Sequence, residues 1–104
     1  MLAVVAQNLA ENAVRYAGHG STFTLSARRE DDGVVLAAAD SGVGVAPEHL
    51  PRLFERFYRA DRARTSRGSG LGLAIVKHIV VAAGGRVEAR GARGRGLTIR
   101  CVFA

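Results

Sequence analysis

Two asparagines stand four residues apart near the start of the chain, Asn8 and Asn12. A step of four places both side chains on one face of a helix. Asparagine is a poor helix-interior residue unless its amide has a task, and an amide oxygen can bind a Mg²⁺ ion that keeps its waters and contacts phosphates. Arg15 and Tyr16 follow, placed to meet a phosphate and a base or sugar. The alternative is a pair of solvated or capping amides on an ordinary helix.

A lone carboxylate, Asp40, ends the apolar stretch 34–39 and precedes a Gly-x-Gly turn of Gly42 and Gly44. Burying an unpaired charge is costly, so Asp40 must pair with a donor or line a cavity. The amino group of adenine is a suitable donor, and a hydrogen bond to a charged group contributes roughly 1.5–3 kcal/mol. Guanine would present a carbonyl oxygen there and be repelled. Alternatively, the carboxylate accepts backbone N–H groups in a tight turn.

A third cluster, Gly68, Ser69, Gly70, Leu71 and Gly72, stands directly before a second apolar stretch. Backbone N–H groups at the start of a helix bind anions, and glycine lets phosphate oxygens approach the main chain. A flexible hinge with a helix cap is the alternative. Because the cluster lacks the Gly-Lys-Ser/Thr ending, it is not a P-loop.

The elements that must position these clusters follow from periodicity and turn residues. Strands occur in adjacent pairs rather than one per helix, which predicts an α/β two-layer sandwich with a mixed, mostly antiparallel sheet and helices on one face. The predicted elements are a helix over 2–16, strands over 22–28 and 34–39 around an Asp32-Gly33 turn, a short helix from Pro47, an irregular stretch over 58–69, a helix over 71–83, and strands over 86–89 and 97–103.

The length of 104 residues allows one domain, predicted over residues 1–104. The net charge of +6, carried by fourteen Arg and Lys77, invites a nucleic-acid interpretation. The six Phe and Tyr residues are not interleaved with the arginines, so we expect no nucleic acid as partner. The single cysteine, Cys101, allows neither an intrachain disulfide nor a thiolate metal cluster.

Taken in order along the chain, the clusters resemble the ATP-binding catalytic domain of sensor histidine kinases, within the GHKL or HATPase superfamily of gyrase, the heat-shock protein of ninety kilodaltons and MutL. The resemblance covers residues 4–103 and implies the Bergerat fold. Its motifs are an N box at Asn8-Leu9-x-x-Asn12-Ala13, a first Gly box at Asp40-x-Gly42-x-Gly44, an F box at Leu53-Phe54-Glu55-Arg56-Phe57-Tyr58-Arg59, a second Gly box at Gly68-Ser69-Gly70-Leu71-Gly72-Leu73-Ala74-Ile75-Val76, and a closing Gly94-x-Gly96.

The resemblance also implies a role for each matched position. The implied catalytic residues are Asn8 and Asn12, with Asn12 as the metal ligand for Mg²⁺ and Asn8 in the same phosphate site. The implied ATP-binding residues are these two, Arg15 at a phosphate, Tyr16 at the nucleoside, Asp40 at the adenine amino group, Gly42 and Gly44 around the adenine, and Gly68, Ser69, Gly70, Leu71 and Gly72 along the triphosphate. The Arg-rich stretch 58–69 would form a lid over the phosphates, and Phe54 and Phe57 would pack its base and help dock the partner helices.

One substitution separates the kinases from the hydrolytic relatives. The relatives carry a water-activating Glu one turn before the magnesium-binding Asn, and this chain has Asn8 there, which suits donation of the γ-phosphate to a protein side chain. His19, His49 and His78 lack the context of the phospho-accepting histidine. The resemblance therefore implies a partner, the helical dimerisation and phosphoacceptor domain of a parent kinase, and then a response regulator.

Other expectations complete this interpretation. The family fold has a strand before the N-box helix, so we expect the N-terminal strand to be truncated here. A cytoplasmic location is expected, with membrane contact only through the parent protein. Three alternatives stay open: an ATP-binding serine kinase of the anti-sigma type, a non-catalytic nucleotide-binding fragment, and a basic nucleic-acid binder.

Overall fold

The part of the chain that the structure describes contains two helices, four strands and one 3₁₀ helix, joined by loops. The computed structural model describes residues 2–16, 20–31, 33–55 and 72–103. The elements are α1 (Leu2–Tyr16), β1 (Phe23–Glu30), β2 (Gly33–Asp40), the 3₁₀ helix (Pro47–Arg52), α2 (Gly72–Ala82), β3 (Arg86–Gly91) and β4 (Leu97–Phe103).

The four described strands form one sheet in the order β1-β2-β4-β3, and each neighbouring pair is antiparallel. Successive side chains of a strand alternate between the two faces of the sheet. Leu36, Ala38 and Asp40 therefore share a face, and the register places Cys101, Ile99 and Leu97 opposite them. We call this the helix-side face, because both helices pack on it.

The core lies between the helices and this face. Helix α1 lies over β1 and β2, and α2 lies over β3 and β4. The helices contribute apolar residues at four-residue spacing, as the sequence predicts. The buried cluster consists of Val5 and Leu9 from α1, Leu73, Val76 and Val80 from α2, and Leu36, Ala38, Leu97, Ile99 and Cys101 from the sheet. The two-layer α/β sandwich with helices on one face is confirmed.

Helix α2 ends in a Schellman motif built by two glycines. Gly84 has φ +85°, its N–H donates to the Val81 carbonyl at 3.0 Å, and the Gly85 N–H donates to the Val80 carbonyl at 2.9 Å. A Cβ on Gly85 would lie 2.0 Å from the Val102 carbonyl oxygen. Gly84 thus stops the helix, and Gly85 lets the chain pass close to β4.

Strand β1 departs from the sequence prediction in its burial and its turn. The alternation of Phe23, Leu25 and Ala27 with polar residues predicts a strand with one apolar face. Phe23 and Leu25 do lie on the helix-side face, but they are 36% and 41% exposed because β1 is the edge strand of the described sheet. The predicted Asp32-Gly33 turn was wrong by one residue. Gly33 has φ +140° and pairs with Glu30, so it is the first residue of β2 rather than part of the turn.

The opposite face of the sheet, called the open face here, carries no helix among the described residues. The continuous apolar run 34–39 is typical of a strand that is covered on both faces, but among the described residues the helices pack on one face only. Val35 and Val102 pair on the open face and are still buried. They line an open cavity together with Glu30, Asp31, Gly33 and Arg86.

Candidate functional site

Asp40 is the last residue of β2, and its side chain lies on the helix-side face. The sheet register places it between Phe23 of β1 and Leu97 of β4. The residue is half-buried, and the Gly42 N–H donates to its Oδ1 atom at 2.9 Å. The carboxylate therefore does accept a backbone hydrogen bond in a tight turn. That bond uses one of two acceptor oxygens, so the other can receive a ligand donor.

The glycine-rich loop after Asp40 packs against the turn between β3 and β4. Gly44 has φ +66°, and a Cβ there would lie 2.1 Å from the Ala92 carbonyl oxygen and 2.8 Å from that of Gly96. The Gly94 N–H also donates to the Val43 carbonyl at 2.7 Å. Gly44 is thus required by close backbone approach as well as by its left-handed conformation.

Gly96 lies against the backbone of Asp40. It has φ +76°, and a Cβ on it would lie 2.0 Å from the Asp40 carbonyl oxygen. Sequence reasoning had placed Gly94-x-Gly96 in a closing segment without linking it to Asp40. The two segments meet because Asp40 pairs with Leu97, which brings the start of β4 to the end of β2. The backbone position of Asp40 is therefore set by this β3–β4 turn.

The amide of Asn8 has a defined orientation. Its Nδ2 donates to the Val4 carbonyl at 2.9 Å, and a carbonyl can only accept, so the nitrogen and the oxygen of the amide are distinguished. The Oδ1 atom faces the start of α2, because a Cβ on Gly72 would lie 3.4 Å from it. Asn8 and Gly72, which belong to two different sequence clusters, are therefore neighbours. This amide oxygen can bind Mg²⁺ directly or accept a hydrogen bond from a water that is bound to the metal.

Asn12 lies one turn further along α1 and is half-buried. Helix α1 ends at Tyr16, and residues 17–22 lead to β1, whose first residue, Phe23, pairs with Asp40. That Asn12 and Asp40 belong to one site stays a prediction.

Several predicted site residues lie outside the described residues. These are Gly68, Ser69, Gly70 and Leu71 of the third cluster, and with them the predicted irregular stretch 58–69. Arg15 and Tyr16 belong to the backbone of α1, and their side chains also lie outside the described part.

The F box is described in its first half only. Leu53 and Phe54 follow the 3₁₀ helix and pack partly buried against the core. Arg52 donates to both carboxylate oxygens of Glu55 at 3.2 Å, and this hydrogen bonding lowers the pKa of Glu55 from its ordinary 4.5. The rest of the motif, including Phe57, lies outside the described residues.

Two helices cover one face of an antiparallel sheet, and the loop after Asp40 packs through Gly44 against the β3–β4 turn. These features define an α/β sandwich of the Bergerat ATP-binding class. The chain belongs to the family of histidine kinase-, DNA gyrase B-, and HSP90-like ATPases, whose family model matches residues 1–104. This confirms the family and the fold class inferred from the four boxes and the closing segment.

Curated relatives are sensor histidine kinases. The phosphate regulon sensor protein PhoR of Pseudomonas aeruginosa is 44% identical over 93% of this chain and 22% of its own length. The sensor histidine kinase CusS of Escherichia coli is 48% identical over 89% of this chain and 21% of its own length. The chain thus spans about a fifth of the length of the curated relatives it matches.

Solved structures of histidine kinases share the fold. The mycobacterial sensor histidine kinase MprB superposes with a TM-score of 0.86 at 34% identity, covering 98% of this chain and 70% of that chain. Full-length ShkA, solved in complex with AMPPNP, superposes with a TM-score of 0.80 at 36% identity, covering 99% of this chain and 22% of that one. Within the described residues, neither helix is long and apolar enough to cross a membrane.

Proposed function

We propose that this chain binds Mg²⁺–ATP and supplies the γ-phosphate to a histidine on a separate helical dimerisation and phosphoacceptor domain of a two-component sensor kinase. A response regulator would then take the phosphate from that histidine, and the whole assembly would work in the cytoplasm. The observation that carries this proposal is the half-buried carboxylate of Asp40 in a chain of this ATPase family.

Asp40 would read the base. Its Oδ1 is held by the Gly42 N–H, so the remaining oxygen is fixed relative to the end of the sheet. The amino group of adenine donates to such an oxygen, whereas the carbonyl of guanine is repelled by it. The left-handed Gly44 keeps the loop against the β3–β4 turn, where a Cβ would collide with the Ala92 carbonyl oxygen.

The amides of α1 would serve the phosphates and the metal. Asn8 directs its oxygen to Gly72 at the start of α2, where backbone N–H groups favour anions. Asn12, one turn away on the same face, would hold Mg²⁺, and Arg15 would contact a phosphate. Mg²⁺, when bound, would offset the negative charge of the phosphate oxygens. Since Asn8 is not a general base, it does not activate water for hydrolysis.

The AMPPNP complex of ShkA supports an ATP-type ligand, since AMPPNP is an analogue of ATP. The names of the curated relatives favour histidine as the acceptor over the serine of an anti-sigma kinase. The acceptor is expected on another domain, because neither His49 nor His78 has the sequence context of a phosphorylated histidine. Incubation of the chain alone with labelled ATP should leave no stable phosphate on it, and acid-labile labelling would contradict this division of roles.

Calorimetric titration with ATP and GTP, each with and without Mg²⁺, tests the nucleotide site. We expect tighter binding of ATP than of GTP, and tighter binding with Mg²⁺ than without it. Asn12→Ala should abolish the gain in ATP affinity that Mg²⁺ provides and leave the affinity without Mg²⁺ unchanged. Gln7→Ala is the matched control, since Gln7 is an exposed amide on the same helix. Equal affinities for ATP and GTP, or an Asn12→Ala variant with an intact Mg²⁺ effect, would refute the proposal.

A further inference from the structure

The loop after Asp40 is tied to β1 by a reciprocal pair of hydrogen bonds. The Ser41 N–H donates to the Thr22 carbonyl at 3.0 Å, and the Thr22 N–H donates to the Ser41 Oγ at 2.8 Å. In the register of β1 and β2, Thr22 is the next residue opposite Ser41. A regular antiparallel ladder would offer a backbone carbonyl to the Thr22 N–H at this place. Here the serine hydroxyl takes the place of that carbonyl.

This replacement lets the main chain leave the sheet immediately after Asp40. The carbonyl of Ser41 is released from the ladder, while the Thr22 N–H keeps an acceptor. The chain then turns so that the Gly42 N–H meets Asp40 Oδ1 at 2.9 Å. On its other side the loop is held by the bond from the Gly94 N–H to the Val43 carbonyl at 2.7 Å. The carboxylate is therefore oriented by a short loop that is held at both ends.

We infer that Ser41 is a positioning residue for adenine recognition, acting through the Gly42 N–H on the carboxylate of Asp40. The inference rests on the proposed function and adds a determinant of base selectivity to it. Ser41 and Thr22 are both exposed, so water can replace the lost hydroxyl without much cost to folding. The effect of removing the hydroxyl therefore falls on the orientation of Asp40.

Three variants of the whole chain test this role: Ser41→Ala removes the hydroxyl, Ser41→Thr retains it, and Ser26→Ala is a matched control at an exposed serine of β1. The ligands are ATP and purine riboside triphosphate, which lacks the 6-amino group. Ser41→Ala should weaken ATP binding about three- to tenfold, because the hydrogen bond between Asp40 and the adenine amino group loses its favourable geometry. It should leave the affinity for the purine analogue unchanged, and the other two variants should bind both ligands as wild type does.

A double-mutant cycle with Asp40 gives the decisive readout. In an Asp40→Ala background, Ser41→Ala should cause no further loss of ATP affinity, because the group on which Ser41 acts is absent. Additive losses, or equal weakening of ATP and the analogue by Ser41→Ala, would overturn the inference and assign Ser41 a purely structural role. A wild-type chain that does not distinguish ATP from the analogue would instead refute the proposed function. Far-UV circular dichroism melts of each variant establish that the folded state is being compared.

Discussion

Carboxylates on the two faces of the sheet differ in the partners that they contact. On the open face, Arg100 lies 3.3 Å from Glu30 and 3.5 Å from Glu88, so one guanidinium joins carboxylates of two other strands. On the helix-side face, Asp40 meets no cation among the described residues and accepts a backbone N–H instead. A carboxylate that is already paired contributes to the sheet. One that retains an unused oxygen in a half-buried position is available to a ligand.

The alternation is visible within β4. Ile99 and Cys101 are buried under the helices, and Arg100 between them lies on the open face. The same strand therefore supplies apolar core on one side and charge pairing on the other. The comparison predicts that changes on the open face alter stability slightly and nucleotide binding not at all, whereas changes around Asp40 alter binding.

The largest effect is expected at Gly96. Gly96→Ala should lower the free energy of unfolding by about 3 kcal/mol or more, because it adds a Cβ at a left-handed residue and drives it into the Asp40 carbonyl. Gly94→Ala is the matched control, with φ +79° but no atom within 4 Å of the added Cβ, and should cost about 1 kcal/mol. Urea denaturation of both variants measures this difference. Equal costs would show that the close approach to Asp40 is unimportant.

Asp40→Ala should weaken ATP binding by about 1–3 kcal/mol, through loss of a charged acceptor for the adenine amino group. Glu88→Ala is the control on the open face, where the carboxylate is paired with Arg100, and it should leave the affinity unchanged. Isothermal titration with Mg²⁺–ATP measures both. A Glu88 variant that loses as much affinity as the Asp40 variant would break the distinction between the two faces.

Cys101 should make stability depend on pH. Burial raises the pKa of its thiol from 9.0 to about 11, so the thiol ionises in the unfolded chain before it does so in the folded chain. The stability it contributes is therefore present below pH 9 and is lost as pH rises toward 11. Between pH 8 and 10 the wild type should lose about 1 kcal/mol more stability than Cys101→Ala. Parallel pH profiles in denaturation experiments would argue against a buried neutral thiol.

The smallest effect is expected for the charge network of the open face. Arg100→Met keeps most of the apolar stem and should lower the free energy of unfolding by about 0.5–1 kcal/mol, less at high salt. Arg28→Met is the comparison: Arg28 pairs with Glu30 at 2.8 Å, but its side chain is 74% exposed, so its loss should change stability by less than about 0.5 kcal/mol. Thermal melts at low and high salt measure both, and ATP affinity should be unchanged in each. A salt-independent loss in Arg100→Met would indicate packing rather than charge.

Local patterns predicted the elements and the core well. The four-residue spacing of Val5 and Leu9 indicates a helix, and the alternation of Ile99, Cys101 and Phe103 indicates a strand face that packs in the core. Val5, Leu9 and Cys101 are buried, as these patterns predict. The exposure of Phe23 and Leu25 did not follow from the pattern. It depends on β1 being an edge strand, and strand order is a property of the whole fold.

The candidate site was predicted in part for the same reason. Asp40 stood out because a carboxylate ended an apolar run, and its loop was recognised from the Gly-x-Gly turn. The bonds between Thr22 and Ser41 depend on the hairpin register, which the turn fixes one residue earlier than expected. The support of Asp40 by Gly96 likewise requires the pairing of β2 with β4. Contacts between distant segments are set by register, which residue types alone do not specify.

The most direct test is a ¹⁵N–¹H correlation spectrum of the chain, titrated with Mg²⁺–ATP. The amide signals of Gly42, Gly44 and Gly72 and the side-chain amide of Asn8 should shift together with one dissociation constant. The amides of Glu88 and Arg100 on the open face should stay in place. If the open-face signals moved and those around Asp40 did not, the nucleotide site would not be where the account places it.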